Sequence, residues 1–274
     1  MPTQETPLPG GIANAGAVVR VGDTVRRPAG PNARSISALL SFLRDQGFDG
    51  APQTRGVDEL GREVLTFIPG RVALPPFPAW STSEQALESV ARLLRRYHDA
   101  TITFDRTEAT WSTAFADPTD AAEVMCHNDV CPENVVFAGR RAVALLDFDF
   151  AAPGRRIWDI ARTLRMWAPL SAPSHRVNYS PALDALTRTT LFCRAYGISP
   201  EEASIFVATV DECITVGTRF VRDRVAANET AFVDMWNSGG GEERAMADRA
   251  WLKANEQNLA DAATRGSSVA EHRT

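Results

Sequence analysis

The chain has 274 residues, enough for one large domain or two lobes around a shared cleft, and its 44% hydrophobic and 8% aromatic residues can build a core without disulfides. Its net charge of −5, with arginines scattered among acids, excludes a general nucleic-acid footprint and would suit a cationic small molecule. Cys126, Cys131, Cys193 and Cys213 form no CxxC pair, the N-terminus lacks the basic-then-apolar pattern of a signal peptide, and no apolar run approaches the roughly 20 residues of a membrane helix. The expectation is a reduced, soluble, cytoplasmic protein without a membrane partner.

Residues 1–16 are rich in Pro, Gly and Ala and read as a loose start. AVVRV (17–21) and TVRRP (24–28) flank Gly22-Asp23, a hairpin signal. Asn32 is placed to cap a helix over about 33–46, whose apolar positions Ile36, Leu39, Leu40 and Leu43 keep helical spacing and whose end meets Gly47. Strands around 53–57 and 63–67 follow, and Pro69-Gly70 breaks the pattern. Residues 1–68 thus read as a small, mostly β lobe with one helix, and 69–274 as a larger helical lobe.

The larger lobe begins with SEQALESVARLLRRYHDA, capped by Ser83 or Thr82 and apolar at Leu87, Val90, Leu93, Leu94 and Tyr97. A second hairpin is expected over 135–137 and 142–148, turned at Gly139-Arg140, and helices over about 157–167, 181–196, 200–226 and 241–262. Trp158, Met166 and Trp167 have core spacing, whereas Asp211, Glu212, Glu229 and Asp234 fit a solvated helical face as well as an amine site. The tail SSVAEHRT reads as frayed.

The chemistry concentrates in two stretches. HNDVCPENVVF (127–137) is a polar loop running into an apolar strand, and ALLDFDF places Asp147 and Asp149 at the exit of the next strand. Three carboxylates, with Asp129, and the Asn134 amide therefore converge. Hard oxygen donors at strand ends suit Mg²⁺, which takes one or two carboxylates and leaves its other positions to water and phosphate; the remaining carboxylate is free to act as a base. Zinc is a poor alternative, because Cys126, His127 and Cys131 lack the paired spacing of structural sites.

HNDVCPEN followed by LLDFDFAAPGRRIWDIA resembles the aminoglycoside phosphotransferase and choline kinase-like family of small-molecule phosphotransferases, within residues 126–162. The resemblance implies an α+β, bilobal protein kinase-like fold and transfer of the γ-phosphoryl group of ATP or GTP to a hydroxyl of a small molecule. It makes Asp129 the group that accepts or orients the hydroxyl proton. Asn134 and Asp147 become the holders of Mg²⁺, with Asp149 as an accessory ligand. His127 would brace the loop and Asp159 would hydrogen-bond it from the next helix. The hinge, Thr66, Phe67 and Ile68, would receive the nucleotide base through backbone groups.

Two departures from that pattern stand out. Asn128 occupies a position where these relatives usually have glycine. The usual strand lysine and helical glutamate are both missing: of 29 basic residues only Lys253 is a lysine, so a phosphate cation in the small lobe must be an arginine, and the helix at 33–46 has no glutamate. Strand alternation favours Arg27, on the face of Val25, over Arg26. The loop GGIANAG (10–16) could cover the phosphates. The alternative reading is a nucleotide-binding pseudoenzyme, a regulatory or immunity module that has lost turnover with that ion pair.

Overall fold

The structure is a computed structural model that describes residues 5–8, 16–107 and 109–267. Apart from Gly16, the glycine-rich loop lies outside the described residues, as does the tail beyond Ser267.

Five antiparallel strands form the small sheet in the order β1-β2-β3-β5-β4: β1 (Glu5–Pro7), β2 (Val19–Val21), β3 (Thr24–Arg27), β4 (Thr54–Val57) and β5 (Glu63–Thr66). The hairpin at Gly22-Asp23 turns as its sequence demands, with Gly22 at a φ of 63°. Helix α1 (Ala33–Asp45) buries Ile36, Leu39, Leu40 and Leu43, as its spacing predicts. Its first turn differs: Asn32 stands at the N-cap but its side chain makes no capping bond. The other end is closed by Gly47, left-handed at 74°, while the Phe48 amide reaches the Leu43 carbonyl at 2.9 Å.

From the sheet the chain passes through Gly70, whose φ is 154° and whose missing Cβ would lie 2.4 Å from Val136 and 2.8 Å from the Phe137 carbonyl. The glycine lets Arg71 form a two-way backbone bridge with Phe137. The connection is thereby pinned to the strand that follows the polar loop.

The helical part is built on α2 (Glu84–Thr101), N-capped by Ser83 and buried along Leu87, Val90, Leu94 and Tyr97. It packs on α4 (Ala185–Tyr196) and on the hairpin β7 (Val135–Ala138) and β8 (Arg141–Leu145). A two-stranded pair, β6 (Val124–Cys126) with β9 (Ala152–Gly154), brackets that hairpin and leads into α3 (Arg156–Trp167). Helices α5 (Pro200–Ala226), α6 (Thr230–Gly239), α7 (Gly241–Ala254) and α8 (Glu256–Ser267) complete the fold, with α8 against α4 and α5.

Strand β8 stops at Leu145, three residues before its expected end, because Asp147 adopts a φ of 60° that no strand can continue. Helix α4 starts at Ala185 instead of 181, since the Asp184 side chain accepts the Thr187 amide and sets the cap. The single helix expected over 241–262 is two, broken at Asn255, and α6 precedes them. Trp158 and Trp167 are core residues, but Met166 is 39% exposed.

Candidate active site

The loop that carries Asp129 and Asn134 is assembled from below by one carboxylate. Asp159, in the first turn of α3 and fully buried, accepts the amides of His127 (2.6 Å) and Asn128 (2.9 Å) and the Nε2 proton of His98 (3.1 Å). That donation leaves Nδ1 of His98 to accept from the Tyr196 hydroxyl at 2.7 Å. Burial alone would raise the Asp159 carboxyl, but His98 and the loop amides outweigh it and hold it below its ordinary range. Asp159 therefore ties the loop to α2 and, through His98, to Tyr196 of α4.

Asn128 carries a φ of 66°, the left-handed conformation glycine would otherwise supply. Its side chain stabilises the bend, donating to the Phe150 carbonyl and accepting from Trp158 Nε1, at 2.9 and 3.0 Å. His127 is buried against Phe148, its Nδ1 accepts the Asp129 amide at 3.3 Å, and burial lowers its pKa to about 4, so it is a neutral brace.

Asp129 stands at the tip. Asn134 Nδ2 donates to both its carboxylate (2.8 Å) and its carbonyl (3.0 Å). Burial, opposed by Arg162 and aided by Asp147 and Glu133, pushes the Asp129 carboxyl up to about 6, well placed for a proton acceptor near neutrality. The Leu146 amide donates to the Asn134 carbonyl at 2.8 Å and joins the loop to the strand exit one residue before Asp147.

Arg27 reaches this exit from the small sheet. It is buried, and its guanidinium donates to Asp149 (2.5 Å), Asp147 (3.1 Å) and Glu63 (2.9 Å). Arg26 faces the other side, toward Asp58 at 3.8 Å, as strand alternation requires. Burial and neighbouring Asp147 raise the Asp149 carboxyl, with Arg27 opposing. Glu63 behaves likewise, raised by burial against the pull of Arg27. Asp147 and Asp149 thus share the Arg27 guanidinium, and the Leu146–Asn134 backbone bond sets Asn134 beside that exit; carboxylate and amide oxygens of this kind are the donors Mg²⁺ prefers.

Glu63 is the residue the sequence reading missed. Its strand partner is Arg27 itself, directly opposite in the β3–β5 register, so the acidic member of the ion pair comes from the sheet and not from α1. The cross-strand position was the available signal. At the hinge, the Thr66 and Phe67 amides are spent on the Gln53 and Asp23 carbonyls, both within the small sheet.

Gly154, in the second motif, is needed for close approach: a Cβ would lie 2.9 Å from Cys126 Sγ and 3.0 Å from Asp117 Cβ. Asp117 is anchored there by Arg155, through its amide and guanidinium. Cys126 is buried, with its Sγ to the Arg155 carbonyl, and does not converge with Cys131 on a metal position. Among the described residues, Asp211 meets Arg249, Glu212 meets Arg155 and Glu229 meets Arg224, the ion pairs of a solvated face.

A small antiparallel sheet joined to a larger helical part is the protein kinase-like fold of choline/ethanolamine kinases and aminoglycoside phosphotransferases. The chain belongs to the phosphotransferase enzyme family, whose model matches residues 103–189. It is 32% identical to the trifolitoxin immunity protein of Rhizobium leguminosarum bv. trifolii over 204 residues, 72% of this chain and 76% of that protein. A homoserine kinase of Rhizobium meliloti (strain 1021) is 26% identical over 58% of this chain, a match that spans only 42% of that kinase. A choline/ethanolamine kinase family protein from Mesorhizobium loti shares the fold with a TM-score of 0.65 at 18% identity, covering 96% of this chain and 93% of its own.

Proposed function

We propose that the protein transfers the γ-phosphoryl group of ATP or GTP to a hydroxyl of a small molecule. The observation that carries this reading is the placement of Asp129, whose carboxyl is displaced to about 6, on a loop bonded to the exit that presents Asp147 and Asp149. Asn134, Asp147 and Asp149 would hold Mg²⁺, which when bound supplies charge neutralisation on the nucleotide phosphates. The acceptor oxygen bonds to the γ-phosphorus as the bond to the β-phosphate oxygen breaks, and the hydroxyl proton passes to the Asp129 carboxylate. Asn134 fixes the orientation of that carboxylate, and Arg27 would exchange carboxylate partners for phosphate oxygens. The hinge carbonyls and Ile68 would meet the base.

The test is a panel of small alcohols incubated with ATP or GTP and Mg²⁺ and read by mass: a gain of one phosphoryl group on an acceptor supports the reading. Its absence across the panel, with nucleotide binding intact, favours a second one. A nucleotide-binding immunity or regulatory module is that alternative, supported by the name of the 32% identical relative and by the satisfaction of Arg27 by three carboxylates of the protein itself.

A further inference from the structure

Most arginines drawn into the body of the protein meet a carboxylate or are satisfied by carbonyls. Arg27 has three carboxylates, Arg155 bonds Asp117, and Arg156 pairs with Asp99 at 2.8 Å. Arg188 has no carboxylate but donates to the Trp167 and Thr82 carbonyls at 2.6 and 2.7 Å. Two arginines on α3 do not follow this rule. Arg162 spends Nε on the Asn128 carbonyl at 2.7 Å and lays its guanidinium 3.9 Å over the Phe115 ring, with no ion pair among the described residues. Arg165, one turn further, has a single long bond, 3.4 Å to the Cys213 carbonyl, and its Nε is sealed from solvent without any partner.

The surroundings do not correct this imbalance. Arg162 and Arg244 both add positive charge at Arg165, while Asp248 on α7, a carboxylate whose charge acts on it, is already engaged by the Ala172 amide (2.8 Å) and His175 (2.7 Å). Arg244 itself makes no ion pair among the described residues. Gly217 on α5 lies beside Arg165, where a Cβ would meet Nη1 at 3.5 Å, an ordinary van der Waals contact. Arg165 is only part-buried as a residue, but its Nε is sealed from solvent without an acceptor, and a sealed donor of this kind is left for a ligand to satisfy.

We propose that Arg162 and Arg165 receive an anionic group of the acceptor, which makes the substrate a compact hydroxy acid. The hydroxyl is presented to Asp129 and the carboxylate to the α3 arginines. Compactness follows from the geometry: Arg162 is bonded to the carbonyl of the residue just before Asp129, and Arg165 lies only about 4.5 Å further along the helix. The overall negative charge of the chain suits a cationic ligand, but the local charge beside Asp129 on this side has the opposite sign. The choice of hydroxyl rests on the phosphotransferase reading, whereas the anion site stands on the arginines alone.

The test uses full-length protein with Mg²⁺ and a non-hydrolysable ATP analogue, and calorimetric titration with three-to-five-carbon ω-hydroxy acids, their amides, the matched diols, amino alcohols and phosphate monoesters. The hydroxy acids are expected to bind at least tenfold more tightly than the amides, diols and amino alcohols. Arg165→Met is expected to erase that preference, to leave nucleotide affinity unchanged and to match or exceed wild type in melting temperature; Arg165→Lys should restore part of the preference. Equal binding of acids and amides by wild type, preference for amino alcohols, an unaltered preference in Arg165→Met, or preference for the phosphate monoesters over carboxylates overturns the proposal. Binding of the acids without phosphoryl transfer from ATP or GTP would sustain the anion site and refute the phosphotransferase reading, so the two failures are separable.

Discussion

Replacing Asp129 by asparagine should stabilise the protein while removing its activity. In the folded chain, burial holds the Asp129 carboxyl at about 6 against an ordinary value of 3.8. At about 1.4 kcal/mol for each tenfold change in proton affinity, the ionised form costs the fold up to about 3 kcal/mol. The folded state binds this proton more tightly than the unfolded state. Its contribution to stability is therefore full below pH 4 and is lost as pH rises through 6. The substituted side chain has no charge to desolvate and can still accept the Asn134 bond through its amide oxygen. Urea unfolding without nucleotide or metal should show Asp129→Asn ahead by up to about 3 kcal/mol at pH 8, and by about half of that at pH 5. Phosphoryl transfer should fall by about 10²- to 10⁴-fold. An asparagine variant no more stable than wild type at pH 8, or a gain that does not shrink on acidification, would show that burial does not strain this carboxylate.

Three other outcomes are expected. ATP or GTP with Mg²⁺ at about 100 times its dissociation constant should stabilise the fold by about 2.7 kcal/mol, several degrees in melting temperature; no shift at millimolar nucleotide contradicts both functional readings. Asp147→Asn, which keeps a residue tolerant of the 60° φ, should weaken the Mg²⁺-dependent part of nucleotide binding, whereas Asp129→Asn leaves it largely intact; the reverse pattern in titrations exchanges the two roles. Arg27→Ala should destabilise the protein by about 3 to 5 kcal/mol, since it strands Glu63 beside Asp147 and Asp149, and should weaken nucleotide binding, while Arg26→Ala is mild in both respects. Wild-type affinity in Arg27→Ala removes Arg27 from the nucleotide site.

Elements were legible where local chemistry set them. The residues of α5 were readable to both ends because Ser199, Pro200 and Glu202 compose a capping box and a first-turn proline, and β2 and β3 because Gly22 can turn between them. What depended on distant partners was not legible. The three-residue strands β6 and β9 pair only with each other and are too short to show a period, and the break at Asn255 carries no proline or glycine to announce it. The loop Asp129, Asn134 and the strand-exit aspartates were visible because their spacing is local. Glu63 was not, because its significance comes from facing Arg27 across two strands, 36 residues away. Arg162 and Arg165 of α3 look like ordinary surface cations in the sequence; only the lack of an ion-pair partner among the described residues distinguishes them.

The contact between Arg27 and its three acids also fixes the electrical state of the cleft before any ligand arrives. One guanidinium against three carboxylates leaves two formal negative charges, the amount a single divalent cation cancels. On the phosphotransferase reading nucleotide uptake would have the character of ion exchange: Asp147 and Asp149 would be given over to Mg²⁺, and Arg27, so released, would turn to phosphate. Because partners are swapped and few charges are newly buried, the exchange should depend on Mg²⁺ concentration more steeply than on ionic strength, and free nucleotide should meet a cleft that repels it.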